Sequence, residues 1–408
     1  MSDVERLLAG FEDGTLLRPS VDVPNTVDLS RAIARLCGDA RYSGDGDSAD
    51  EGSAHQIAAV IGPAEHIVFV IADGLGMTLL ETLGGDSFLR RRLARELRSI
   101  FPSTTSAALT TLATGAWPAE HAITGWWTHL TEISGPATIL PFVSRVTGAP
   151  LADHGVTAEI AFPLPSRVSS FDRSAVGILP NALFRSVYSG YSLGRAIRRG
   201  YGSISDGVDR VLARLQSATG PSYTYLYLPQ IDSAAHTTGV DGDATRAALA
   251  DVNSGLERLA GELPGAAKLV ITSDHGHLDA FPAEPMLIRE DDEIGRMLRF
   301  PPAGDARVNY YHVREDAFGR FAEAFSERMP EQVALLTPDE LETMELLGPG
   351  KLSALTRSRI GDYIAICMDA AVFAWAPAGA VGPDMSRLVS HHSGLSPDEM
   401  RVPLIVSG

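Results

Sequence analysis

Three short runs, His66 to Ala72, Tyr223 to Leu228 and Lys268 to Thr272, are rich in β-branched and aromatic residues and lack the apolar-polar alternation of a strand with one wet face. Such runs read as strands covered on both faces, as in a parallel sheet between two layers of helices. Stretches with helical character, Phe88 to Leu97 and Thr245 to Leu263, lie between them. This alternation specifies an α/β fold with a doubly wound, mostly parallel sheet and helices on both faces. Ligands bind such sheets at the C-terminal ends of the strands.

At 408 residues with 45% hydrophobic composition, the chain can bury a large core. Residues 1–54 are expected to form an N-terminal segment whose small, acidic stretch 40–54 reads as a flexible loop, with the ordered core beginning after it. Residues 55–278 carry the strand-helix pattern and form the expected α/β core domain. From 279 to 370 the texture changes to scattered charge, a short strand at Val308 to Val313 and a helix at Ala317 to Arg328, read as a small inserted α+β cap. Residues 371–408 are expected to return to the core through Ala371 to Ala376 and the apolar Val402 to Val406.

A net charge of −17 and a pI near 5.0 disfavour a nucleic-acid backbone or an anionic membrane surface as a partner. They do not exclude an anionic small molecule, because a pocket holding divalent cations has its own local sign. Cys37 and Cys367, the only cysteines, offer neither a disulfide framework nor a paired-thiolate metal site. The N-terminus lacks a basic segment followed by an apolar run, and no stretch approaches the roughly 18 apolar residues of a membrane span. The expected location is the cytoplasm. Nothing in the sequence specifies an oligomer.

Polar residues cluster directly after the three apolar runs. Asp73-Gly74 follows the first, Asp232 and His236 the second, and Asp274-His275-Gly276 the third. A lone Asp after a strand often only caps the next helix. Three clusters that share one sheet edge, each with an Asp and two with a His, point instead to a metal centre. Carboxylate and imidazole without thiolate suit zinc or a similar first-row ion.

In this order the segments resemble the alkaline phosphatase superfamily, and within it the nucleotide pyrophosphatase/phosphodiesterase branch, from about His66 to the C-terminus. Phe101-Pro102-Ser103-Thr104-Thr105, with Thr110 to Gly115 and Pro118 to His121 downstream, is similar to the nucleophile segment of that family. The resemblance implies Thr105 as nucleophile, with Thr104 the alternative if the register shifts by one. It further implies that Asp73, Asp274, His275 and Thr105 hold one divalent ion and that Asp232, His236 and a C-terminal histidine hold a second. Ser390-His391-His392-Ser393-Gly394-Leu395-Ser396 resembles the family's His-Gly-Gly-Leu-Ser and selects His392, with neighbouring His391 the alternative. Zinc is the expected ion and manganese a possible one.

The resemblance leads one to expect an asparagine donor three residues beyond the nucleophile, where this chain has Ala108. Replacement donors to phosphate are the Thr105 backbone N–H, Trp126, Trp127 and Arg167. For the tryptophans the alternative is simple packing, and for Arg167 a surface role. His121 is expected to support a turn, and His277 to lie behind the ligands or exposed. In the cap, Tyr310, Tyr311 and His312 are strand residues within possible reach of substrate.

Coordination to a divalent ion turns a threonine hydroxyl into an effective nucleophile at neutral pH. The expected activity is therefore two-metal hydrolysis of a small phosphate ester or nucleotide through a covalent phospho-threonine, foremost as a phosphodiesterase or nucleotide pyrophosphatase. A phosphomonoesterase or phosphonate hydrolase of the same superfamily is the alternative. The Thr105 segment lacks the Cys/Ser-x-Pro-x-Arg pattern of sulfatases. A binding protein that had lost catalysis would show vacated ligand positions, and here all are filled.

Overall fold

A computed structural model describes residues 1–42, 52–281, 286–378 and 388–408. Most of the acidic stretch expected to be a loop, 43–51, lies outside the described residues. Its flanks are helical: Ala40–Tyr42 forms a 3-10 turn and Gly52–Ile61 an α-helix. No helix among the described residues is long and apolar enough to cross a membrane.

Up to residue 272 the strands are β1 (His66–Ala72), β2 (Leu93–Arg98), β3 (Trp127–Leu130), β4 (Gly135–Thr138), β5 (Val143–Ser144), β6 (Ser174–Pro180), β7 (Ile197–Tyr201), β8 (Ser222–Leu228) and β9 (Ala267–Thr272). The main sheet has the order β2, the C-terminal strand Arg401–Ser407, β9, β1, β8, β6, β7. From β9 to β7 all pairs are parallel, and Arg401–Ser407 runs antiparallel to both its neighbours. The central position of β1 explains its unbroken apolar run. Ile67, Phe69 and Ile71 pack on one face with helices Thr26–Leu36 and Gly52–Ile61, while Val68 and Val70 pack on the other with Ile204–Gln216 and Asp243–Glu262.

Three expectations need correction. The ordered body begins well before residue 54: helices Asp3–Asp13 and Thr26–Leu36, each opened by a capping box (Ser2 with Glu5, Asn25 with Asp28), bury Leu7 and Leu29. The stretch Phe88 to Leu97 is helical only over Phe88–Arg91 and then becomes β2, an edge strand whose charged residues stay in water. Finally, Ala374–Ala376 pairs with Leu287–Arg289 rather than with the main sheet, which the chain rejoins only at Arg401–Ser407.

A second seven-stranded sheet is wholly antiparallel, in the order Val333–Leu336, Tyr363–Cys367, Val308–Tyr311, Ala303–Asp305, β3, β4, β5. Its strands come partly from 303–367 and partly from 127–144, so the texture change at residue 279 marks only half of it. The two halves meet where β3 lies beside Ala303–Asp305. A Cβ on Gly125 would stand 2.3 Å from the Gly304 carbonyl oxygen, and Gly304 itself has φ +100°, so this close approach requires glycine at both positions.

Between the sheets lies a fully buried ion pair. Arg307 Nε donates to Glu399 Oε1 at 2.7 Å, and Arg307 Nη1 donates to the carbonyls of Asp369 and Ala371 at 2.8 Å each. Glu399 also accepts from the Gly394 and Ser396 backbone N–H groups, and its own carbonyl accepts from Gly276 N–H. The pair thus ties the second sheet to the loop after Asp274 and to the C-terminal segment that carries His392. Removing one partner strands the other charge in the interior, so Glu399→Ala is expected to cost about 3–5 kcal/mol in chemical unfolding. A loss below about 1 kcal/mol would mean that the contact is not structural.

Candidate active site

Strands β1, β8 and β9 are adjacent and parallel, so the residues that follow them converge at one end of the sheet. Asp73 follows β1 and Asp274-His275 follows β9. After β8, helix Gln230–Thr238 presents Asp232 and His236 one turn apart. Three groups of possible ligands result, Asp73 with Asp274 and His275, Asp232 with His236 and His392, and Asp232 with His275 and His277, with the donor atoms of each within 4.8 Å of one another. His392, rather than His391, joins the second set. His391 lies in a short antiparallel pairing with Leu278, and burial pushes its imidazole down to about 3.

The imidazoles are oriented for ligation. His275 Nδ1 lies 3.0 Å from the Gly276 carbonyl oxygen and His236 Nδ1 2.7 Å from that of Ser390. A carbonyl can only accept, so each Nδ1 carries a proton and each ring turns its Nε2 into the site. His275 Nε2 stands 3.5 Å from Asp73 Oδ1, 3.5 Å from Asp274 Oδ2 and 3.1 Å from Thr105 Oγ1. His236 Nε2 stands 3.3 Å from Asp232 Oδ1 and His392 Nε2 3.8 Å from it.

Asp73 Oδ1 and Asp274 Oδ2 are buried without a hydrogen-bond donor. Burial, and then the neighbouring Asp274 carboxylate, push Asp73 well above the usual carboxylate range. At Asp232 burial pushes upward too, but hydrogen bonds from His236 and His277 outweigh it and hold the group well below that range. Orphaned buried carboxylate oxygens facing imidazole nitrogens fit divalent cations.

Thr105 opens helix Thr105–Thr114 and faces His275. Thr104 precedes it as the N-cap, but its Oγ1 is committed to Asp305 Oδ2 at 2.5 Å. Beside Thr105 is a cavity of about 430 Å³ lined by Asp73, Asp232, Trp126, Tyr225, Tyr227 and Tyr188, with Leu109, Leu140 and Leu183 among its apolar neighbours. Among the described residues no lysine or arginine lines it.

Of the expected substrate contacts, only Trp126 reaches this cavity. Trp127 is buried in β3 with the Arg145 guanidinium 3.5 Å above its ring. Arg167 is neither at the site nor on the surface: it is buried, 3.3 Å from Asp39 and over the ring of Tyr42. Tyr310 and Tyr311 fill two cores of the second sheet, and His312 stacks on His129 at 4.0 Å. His121 bridges Thr111 Oγ1 and the Ile123 N–H, a buried turn support. Ala108 packs with Val27, Ile100 and Trp117, so a residue of any type there faces the core, and its identity carries no information about phosphate binding.

Two participants, Tyr227 and Asp305, were not singled out from the sequence, and a third, His277, was expected only behind the ligands or exposed. Tyr227 donates its hydroxyl to Asp73 Oδ2. It ends the period-2 series Tyr223, Tyr225, Tyr227, and a buried tyrosine hydroxyl needs an acceptor. His277, expected behind the ligands, contacts Asp232 Oδ1 through Nε2 at 3.1 Å while Nδ1 meets Ser390 Oγ. Asp305 has no sequence signal beyond its charge within an apolar stretch.

The fold and the paired ligand sets define a metal-dependent hydrolase of phosphate esters with the alkaline phosphatase-like architecture. The chain belongs to the type I phosphodiesterase/nucleotide pyrophosphatase family, whose model matches residues 67–380. No curated protein matches it significantly. Among solved structures it is similar to murine ectonucleotide pyrophosphatase/phosphodiesterase 5 (TM-score 0.60, 15% identity, 84% of this chain and 88% of that one). An inactive threonine-to-alanine variant of that murine protein, in complex with AMP, matches with TM-score 0.61 at 15% identity over 84% and 87%. Phosphonoacetate hydrolase from Sinorhizobium meliloti, in complex with phosphonoformate, matches with TM-score 0.58 at 16% identity over 85% and 90%.

Thr105→Ala is expected to lower kcat by about three orders of magnitude or more while metal content stays near two ions per chain, because it removes the attacking oxygen and leaves the Asp and His ligands. Elemental analysis alongside steady-state kinetics checks both halves. Thr104→Ala is expected to change kcat by less than about tenfold, and the reverse ranking would place the nucleophile at Thr104.

Proposed function

We propose that this chain cleaves a phosphodiester or pyrophosphate bond in a small nucleotide-like substrate, with Thr105 as nucleophile and two zinc ions as cofactors. The observation that carries this reading is the cavity beside Thr105: aromatic and aliphatic walls, hydroxyls and, among the described residues, no cationic side chain. A diester brings one negative charge fewer than a monoester and one more organic group. A pocket for it therefore needs a wall for that group and less positive charge. The half-buried Trp126 and Tyr225 supply flat surfaces suited to a nucleobase or an aryl group.

When bound, the ions supply Lewis acidity, lowering the pKa of the Thr105 hydroxyl and stabilising charge on the transferring phosphoryl group. Thr105 Oγ attacks phosphorus, the bond from phosphorus to the leaving oxygen breaks, and a phospho-threonine remains. Water then displaces Thr105 from phosphorus, releasing a phosphomonoester and restoring the hydroxyl. The first-turn N–H groups of helix Thr105–Thr114 have no intrahelical acceptors and lie at the positive end of its dipole, so they can donate to the non-bridging oxygens.

A preference of at least about tenfold in kcat/KM for bis-p-nitrophenyl phosphate over p-nitrophenyl phosphate is expected, equivalent to about 1.4 kcal/mol of differential transition-state binding. Activity is expected to vanish on chelation and to return with zinc better than with manganese. A monoester preference would overturn the diesterase reading, and turnover of phosphonoacetate above that of either ester would move the chain to the phosphonate hydrolases.

A further inference from the structure

Thr104 occupies the N-cap of the nucleophile helix, with extended φ −132° and ψ 146°, yet makes no side-chain cap hydrogen bond. A threonine in that position ordinarily accepts from the N–H of the second or third helical residue. Here the hydroxyl turns away and donates to Asp305 Oδ2 at 2.5 Å. Asp305 is buried at the end of strand Ala303–Asp305, and its carboxylate also accepts from the Ala306 N–H at 2.7 Å and from the Trp126 N–H. Its position is fixed by the glycine contact between Gly125 and Gly304 described above. The second sheet therefore places a buried acceptor where it competes with the helix for one hydroxyl.

We propose that Asp305 is a positioning residue that holds the Thr104 hydroxyl off the first turn of the nucleophile helix, keeping the N–H groups there open for the phosphate oxygens of the substrate. Freed from Asp305, Thr104 can rotate to cap its own helix and occupy a donor that the substrate needs. The hydrogen bond gained at the cap favours that rotation. The inference rests on Thr105 being the nucleophile, and Thr105→Ala tests that reading separately.

The experiment compares Thr104→Val, Asp305→Ala and the double variant as zinc-loaded full chains. It reads kcat and KM with bis-p-nitrophenyl phosphate, the inhibition constant of inorganic phosphate, metal content and thermal midpoint. Thr104→Val is expected to stay within about threefold of the parent, because valine cannot cap. Asp305→Ala is expected to lose about tenfold or more in kcat and to bind phosphate more weakly, with metal content unchanged. Adding Thr104→Val to Asp305→Ala is expected to restore kcat and phosphate inhibition to within about threefold of Thr104→Val alone, even though the thermal midpoint stays low. If the double variant is as slow as Asp305→Ala or slower, or if Asp305→Ala lowers only the thermal midpoint, the proposal is overturned. Should Asp305→Ala not fold, Asp305→Ser, too short to reach Thr104, takes its place in the same comparison.

Discussion

Two carboxylates at the ends of neighbouring parallel strands set the terms of this structure. Asp73 and Asp274 leave β1 and β9 on the same side of the sheet, and the pairing of those strands keeps them together. Among the described residues their ion-pair partner is His275 alone, whose Nδ1 proton is already given to a carbonyl. Such proximity is costly in a dry interior unless cations enter. The residues around them respond to that demand: Tyr227 fixes one Asp73 oxygen, and His236, His277 and His392 gather around Asp232. A site built this way is an incomplete electrostatic arrangement that metal binding completes.

The ligands come from distant parts of the chain, so something must hold those parts in register. The main sheet does this for Asp73, Asp232 and Asp274, which follow hydrogen-bonded neighbours. His392 lies outside the main sheet, in the loop after the two-residue strand Ser390–His391, which pairs with Leu278–Asp279. Its register comes also from the Arg307–Glu399 pair and the backbone groups that pair engages at Gly394, Ser396 and Gly276. A buried ion pair is weak evidence for stability as such. Here its directional bonds add to the short pairing of Leu278–Asp279 with Ser390–His391 and tie both segments to the second sheet, which gives that sheet a structural part in the candidate site.

What could be read from the sequence follows from which residues carry a local signal. The three core strands and the positions just after them were legible because burial on both faces removes polar alternation, and because Asp and His at sheet ends are chemically conspicuous. The strands β2 and β7 were not, since an edge strand keeps charged residues in water and then resembles a helix or a loop. The second sheet was half visible: its strands at 303–367 interrupt a polar texture, whereas β3 to β5 contain glycine, proline and threonine and pair with residues far along the chain. Arg167 shows the same limit at a single side chain. Its sequence neighbours suggest a solvated cation, and only the tertiary partners Asp39 and Tyr42 reveal where it is spent. Asp305 and Tyr227 act through contacts 201 and 154 residues away in sequence, which no spacing rule encodes.

The charge balance of the assembled site bears on its substrate. In the proposed two-ion site Asp73, Asp232 and Asp274 would bring three negative charges, an ionised Thr105 a fourth, and two divalent ions would cancel all four. With no lysine or arginine among the described residues lining the cavity, any charge on the substrate is then a net addition, and an ionised Asp305 close behind would deepen the deficit. A diester adds one negative charge and a monoester two. In a partly desolvated site each uncompensated charge weakens binding steeply. The neighbouring first-turn N–H groups offer only partial charge, about half a unit from the helix dipole, which matches a singly charged phosphoryl group better than a doubly charged one. Selectivity for diesters can thus arise from what the pocket omits as much as from the aromatic wall that it provides.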